Sequence, residues 1–262
     1  MNDKDANSNQ PCYFFKFGLF VTGEGERNHL PKLFKPLTKS GICSFEVIRF
    51  IGQRSPITSD KKKLKMVGSG KTIPDRDVQE IGMPARTYLS ENRCAYVLLV
   101  DDLEHDRRNQ AQEIFNRYRQ AFDKILQEEK HRASVHFLVN MLEAYYFADA
   151  VAINKVLETC LSDYSGDVET IRHPKNELKK LYPGFDEVEN GGSILDCLNI
   201  EHVLSRRDTC ASLRTIFAWC SKVLEQCAIS LAENQSPVDS YRLQDGILSE
   251  ITKSQLDDLI TH

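Results

Sequence analysis

Seven consecutive residues, Cys94 to Val100 (CAYVLLV), carry no charge and stop abruptly on Asp101-Asp102. A short, wholly apolar run of this kind is the pattern of a strand buried on both faces. A second run, Tyr13 to Val21 (YFFKFGLFV), breaks at Thr22-Gly23, after which Leu30, Leu33, Phe34 and Leu37 fall at helical spacing. That is strand, glycine turn, helix. Further strands are predicted over Cys43 to Ile51 (CSFEVIRFI) and Ser134 to Val139 (SVHFLV), with a helix from Asp77 to Asn92 that Pro84 should kink or split. A long amphipathic helix is expected from about Arg107 to Lys130, its apolar stripe being Ile114, Phe115, Tyr118, Phe122, Ile125 and Leu126. Strands alternating with helices imply an α/β fold, a Rossmann-like parallel sheet flanked by helices with right-handed crossovers.

From Met141 onward the chain reads as mostly helical, with helices expected behind Pro174, from Cys210 to Ala228 and from Ser249 to Ile260. The expected organisation is a disordered lead over 1–12, an α/β domain over 13–150 and an α-helical region over 151–262 packed on it. No run approaches the ~18 apolar residues of a spanning helix, and the polar start MNDKDANSNQP lacks an apolar signal segment. A cytoplasmic protein without membrane contact is expected. The eight cysteines include no CxxC pair and are expected to be reduced and half-buried, neither a zinc set nor a disulfide framework.

The net charge of -4 excludes a protein that coats nucleic acid through its overall field, but it leaves room for a local basic patch. Such a patch lies between Gly52 and Arg76. There Arg54, Lys61, Lys62, Lys63, Lys65, Lys71 and Arg76 face only Asp60 and Asp75, a surplus of +5 expected on a mobile loop.

In an open α/β sheet, ligands bind beyond the carboxyl ends of the strands. Two of those ends are acidic here, Thr22-Gly23-Glu24-Gly25-Glu26 and Asp101-Asp102-Leu103-Glu104. Carboxylates gathered in one crevice repel each other unless a cation lies between them, and Mg²⁺ or Mn²⁺ suits all-oxygen donors. The bland alternative is that Glu24 and Glu26 favour the positive end of the following helix and that Asp106 caps the next one. Glu143, following a strand at the start of a helix, could reach the same crevice or simply answer a helix dipole. Tyr145, Tyr146 and Phe147 read as core.

A strand ending in a glycine-acid turn before a helix, then a strand ending in paired acids, resembles the TOPRIM domain of topoisomerases, primases and overcoming-lysogenization-defect nucleases. More narrowly, the chain is similar to a family of small TOPRIM-like proteins of unknown function encoded beside ATPases in bacterial defence loci. The residues that carry the likeness are Val21 to Glu26 with Leu30-Pro31, Leu99 to Glu104, and Leu142 to Asp149 (LEAYYFAD). The family's first acid falls on Thr22, or on Glu24 after a two-residue slip, and its D-x-D reads as Asp102-x-Glu104 or as Asp101 with a displaced partner.

The resemblance implies a metal-dependent nuclease, the effector of an anti-phage system acting with an ATPase partner. The alternative is a noncatalytic subunit that binds and regulates that ATPase. The implied catalytic residues are Glu26, Glu24 and Asp102. Glu24, Glu26, Asp101, Asp102, Glu104 and Glu143 would hold Mg²⁺ or Mn²⁺. Lys61, Lys62, Lys63, Lys65, Lys71, Lys175, Arg206 and Arg207 would contact nucleic acid, DNA ahead of RNA. Two other motifs are set aside. Val67 to Thr72 (VGSGKT) has Lys65 where a P-loop needs glycine, and the histidines show no HExxH spacing.

Overall fold

A computed structural model describes residues 11–56, 66–67, 71–72, 75–226 and 249–259 of the chain. Four strands form one parallel sheet: β1 (Phe15–Val21), β2 (Cys43–Phe50), β5 (Ala95–Leu103) and β6 (Ala133–Val139), in the order β2-β1-β5-β6. Between β2 and β5 the short strands β3 (Met66–Val67) and β4 (Lys71–Thr72) pair antiparallel as a separate two-stranded sheet. The expected α/β class with a parallel sheet is what the structure shows. The chain leaves β1 for β2 on one side and returns to β5 on the other, so the strand order reverses between β1 and β5. Val21 lies opposite Val100 there, which brings Thr22-Gly23 beside Asp101-Asp102.

The period-2 alternation of buried strands divides the core in two. Phe15, Phe17, Leu19 and Val21 of β1 and Tyr96, Leu98 and Val100 of β5 face one side; Phe20, Val97, Leu99 and Leu103 face the other. The second side is covered by α2 (Met83–Glu91) and α3 (Ala111–Leu126), the latter through Ile114, Phe115, Tyr118, Phe122 and Leu126. Gly18 makes this close approach possible, because a Cβ there would lie 2.7 Å from the ring of Tyr88. Pro84 has the expected effect. It cannot donate to residue 80, and a π-helical turn over Val78–Gly82 leads into α2.

The first side is closed by α1 (Glu24–His29), the turns that follow it and the helices of the second half: α4 (Ala150–Leu157), α5 (Pro174–Leu181), α6 (Glu189–Cys197), α7 (Ile200–Ser205) and α8 (Ala211–Leu224). Leu213, Phe217 and Trp219 of α8 join the same cluster as Phe17 and Phe34. The two regions divided at residue 150 therefore share one core. A last helix, α9 (Ser249–Asp258), lies along β6, where Gln255 donates to the carbonyl of Val135 and accepts from its N–H, 2.8 Å in both bonds. No described helix is long and apolar enough to cross a membrane.

One expectation is corrected. Cys12 and Cys94 form a disulfide that ties the segment before β1 to the start of β5. Arg93 adds a hydrogen bond to the carbonyl of Pro11, so Pro11 and Cys12, expected to belong to a disordered lead, are held in place. Cys43, Cys160, Cys197, Cys210 and Cys220 are free thiols, as expected.

Candidate active site

Because side chains alternate along a strand, Asp101 and Asp102 project to opposite faces of the sheet. Asp101 turns toward α3 and is fully occupied there. Thr22 donates to its Oδ1 at 2.8 Å, Tyr118 donates to Oδ2 at 3.1 Å, and Arg107 grips both oxygens at 3.2 and 2.9 Å. This forked ion pair leaves Asp101 little capacity for another partner. Asp101, expected to share a metal shell with Asp102, thus lies on the other face of the sheet and anchors the strand end through these bonds. Thr22 serves both residues, since its Oγ1 also accepts from the backbone N–H of Asp102 at 2.9 Å.

Asp102 turns toward the helical side and is only 5% exposed. Its Oδ1 is buried and has no hydrogen-bond partner among the described residues. Close by are Glu26 from the first turn of α1 and Glu143 from the 3-10 segment Leu142–Ala148, also buried. Gly23 admits Glu26 to this position, because a Cβ there would lie 1.9 Å from Glu26 Oε2. Burial, reinforced by the charge of Glu143, raises the pKa of Glu26 to about 7. Asp102 is raised well above the usual carboxylate range by burial and then by Glu26 and Glu143; Glu143 is raised chiefly by burial. Lys175 of α5 approaches Glu143 at 3.7 Å and also pairs with Glu187. Tyr146 is buried beneath the cluster and held as a neutral phenol by burial, then by Glu143 and Glu26.

The chain enters this site through a forced turn. Asn140 and Met141 follow β6 with φ of 58° and 80°, and Met141 has ψ of 160°, a region that side chains other than glycine's rarely adopt.

The remaining expected residues are placed elsewhere. Glu24 is exposed and pairs with Arg27 at 3.5 Å, and Glu104 is exposed at the rim. Neither joins the buried cluster. Arg206 is spent on the carbonyls of Ala148 and Tyr164 and so does not offer the phosphate contact expected of it. Arg207 is exposed. Arg54 is buried, paired with Asp77 and Glu80, and thus not part of a basic face. Lys61, Lys62, Lys63 and Lys65 lie outside the described residues, as does the side chain of Lys71. Arg107 and Tyr118 are site residues that the sequence did not disclose. The available signal was an arginine six positions beyond Asp101 in a strand-to-helix loop.

Among the described residues no group of three His, Cys, Asp or Glu side chains is placed so that it could hold a metal ion as it stands. In kind the donors fit a hard cation: three carboxylates, one bearing an orphaned buried oxygen.

The fold and site define a Rossmann-like α/β protein with buried acids at its topological switch point. Residues 21–219 match the family described as a domain of unknown function, DUF4276, and the chain belongs to that family. No curated protein and no solved structure matches the chain.

Proposed function

We propose that the protein is a metal-dependent, TOPRIM-like nuclease that cleaves phosphodiester bonds, acting with an ATPase partner in defence against phage. The observation that carries the reading is the unpartnered, buried Oδ1 of Asp102 beside Glu26 and Glu143, at the carboxyl edge where an α/β sheet binds its ligands. Asp102, Glu26 and Glu143 would hold Mg²⁺ or Mn²⁺, which when bound polarises a phosphodiester oxygen. Glu26, buried beside Asp102, is also the group that would take a proton from the attacking water. Lys175 would share in neutralising the charge gathered on the cluster. Thr22, Arg107 and Tyr118 hold the strand end in place through Asp101.

Calorimetric titration with Mn²⁺ and incubation of supercoiled plasmid and of RNA with Mg²⁺ or Mn²⁺ test the reading, with Asp102→Asn as control. The expected result is stoichiometric Mn²⁺ binding and cleavage, both lost in Asp102→Asn. Wild type that neither binds Mn²⁺ nor cleaves either substrate, alone or with its ATPase, overturns it.

A second reading, a noncatalytic subunit docked on the ATPase, is favoured by Lys175 already pairing with Glu143 and by Thr22 at the position of the family's first acid. It predicts altered ATPase turnover on mixing, with no cleavage.

A further inference from the structure

A cleft of ≈ 240 Å³ opens beside the acid cluster, formed where three segments converge. His105 comes from the loop after β5, Met141 from the turn after β6, and Arg172, His173, Lys175 and Asn176 from the approach to α5 and its first turn. Arg172 makes no hydrogen bond or ion pair with any described residue. The Nδ1 of His105 is buried with no partner among the described residues. Lys175 lines the cleft with its Nζ paired to Glu187 and 3.7 Å from Glu143, so an anion held here would lie beside the acids and share that ammonium with them. The N-terminus of α5 adds its partial positive charge, although Pro174 has no N–H and those of Asn176 and Glu177 donate to the carbonyl of His173. Glu104 and Asp106, also lining the cleft, repel an anion and so confine it to the basic wall; they suit hydroxyl donors instead. The volume falls below the ~300 Å³ at which pockets for drug-sized ligands begin, so the cleft suits a ligand unit no larger than about one nucleotide.

We propose that this cleft binds one nucleotide unit of a single-stranded nucleic acid, its phosphate held by Arg172, Lys175 and the N-terminus of α5. The assignment deepens the nuclease reading and rests on it. It places the strand's entry at Arg172 and His173, independent of the lysines near residue 61. Imidazole rings such as His105 and His173 offer flat surfaces on which a base can stack.

The test is fluorescence anisotropy in EDTA, so that nothing is cleaved, with labelled oligothymidylate, oligouridylate and a duplex of equal length. Arg172→Ala and Arg172→Glu are compared with wild type; since Arg172 has no partner within the described chain, both variants should melt as wild type does. Single strands should bind more tightly than duplex, with about a tenfold loss in Arg172→Glu and a log–log salt slope shallower by about 0.7. Tighter binding of one oligonucleotide identifies DNA or RNA as the source of the strand. Unchanged affinity and salt slope in Arg172→Glu, or preference for duplex, overturns the proposal. Its fate is separable from that of the nuclease reading. Strand binding that depends on Arg172 without cleavage under any divalent ion removes only the hydrolytic role, whereas cleavage with Arg172-independent binding removes only the cleft.

Discussion

Asp101 and Asp102 share a peptide bond but not a face of the sheet: the first is bound by Thr22, Tyr118 and Arg107, and the second keeps an unpartnered oxygen in the acid cluster. Neutralising them should therefore have opposite effects. Asp101→Asn breaks a buried forked ion pair and leaves Arg107 uncompensated, which should cost about 3 kcal/mol. Asp102→Asn removes one of three mutually repelling carboxylates and should stabilise the protein at pH 8 by about 1 kcal/mol when divalent ions are absent. Urea unfolding of both variants at that pH checks the pair, and shifts of the same sign would contradict the assignment.

Glu169 is fully buried. It accepts hydrogen bonds from the N–H and hydroxyl of Ser212 and from the hydroxyl of Tyr145. Burial, and then the charge of Asp167, push its pKa up to about 7 from 4.5. The folded state therefore binds the proton more tightly than the unfolded state. The stabilisation is complete below the unfolded value and is lost as pH rises from about 4.5 through 7. Glutamine can keep the two bonds to Oε1 and reverse the third, its NH2 donating to the Ser212 hydroxyl, without the charge. Glu169→Gln should be more stable than wild type at pH 8 by about 1–3 kcal/mol, with the advantage fading toward pH 4.5. Thermal melts across that range provide the measurement; an advantage that grows on acidification would refute the sign.

Met141 stands at φ 80° and ψ 160° at the turn into the site, a conformation costing about 1–3 kcal/mol for a residue with a Cβ. Met141→Gly relieves that strain against a loss of about 0.5–1 kcal/mol from the greater freedom of the unfolded chain, leaving a gain of about 1 kcal/mol. Met141→Ala removes most of the same side chain without relief and should be destabilising. The contrast between the two in urea midpoint is the test.

The sheet was legible because strands buried on both faces leave uninterrupted apolar runs, and the acid-bearing ends were legible because the charges stop those runs so sharply. Separating Asp101 from Asp102 was harder. Alternation says that neighbours on a strand face apart, but which one meets Arg107 depends on the side of the sheet that α3 covers. Glu24 and Glu26 posed the same problem at closer range. Two residues apart in a helix point in different directions, and only the packing of α1 decides that Glu26 is the buried one. The Cys12–Cys94 pairing spans 82 residues, and no local spacing announces a contact that parallel strand order alone creates.

Gln255 meets both backbone groups of Val135 on the outer edge of β6, where a fifth strand would otherwise attach. A shortened chain ending at residue 226 would retain the acids and the cleft but leave that rim of the sheet open to strand exchange between molecules. The helix that carries Gln255 thus covers that rim, and shortened versions of the chain made for crystallisation should keep it.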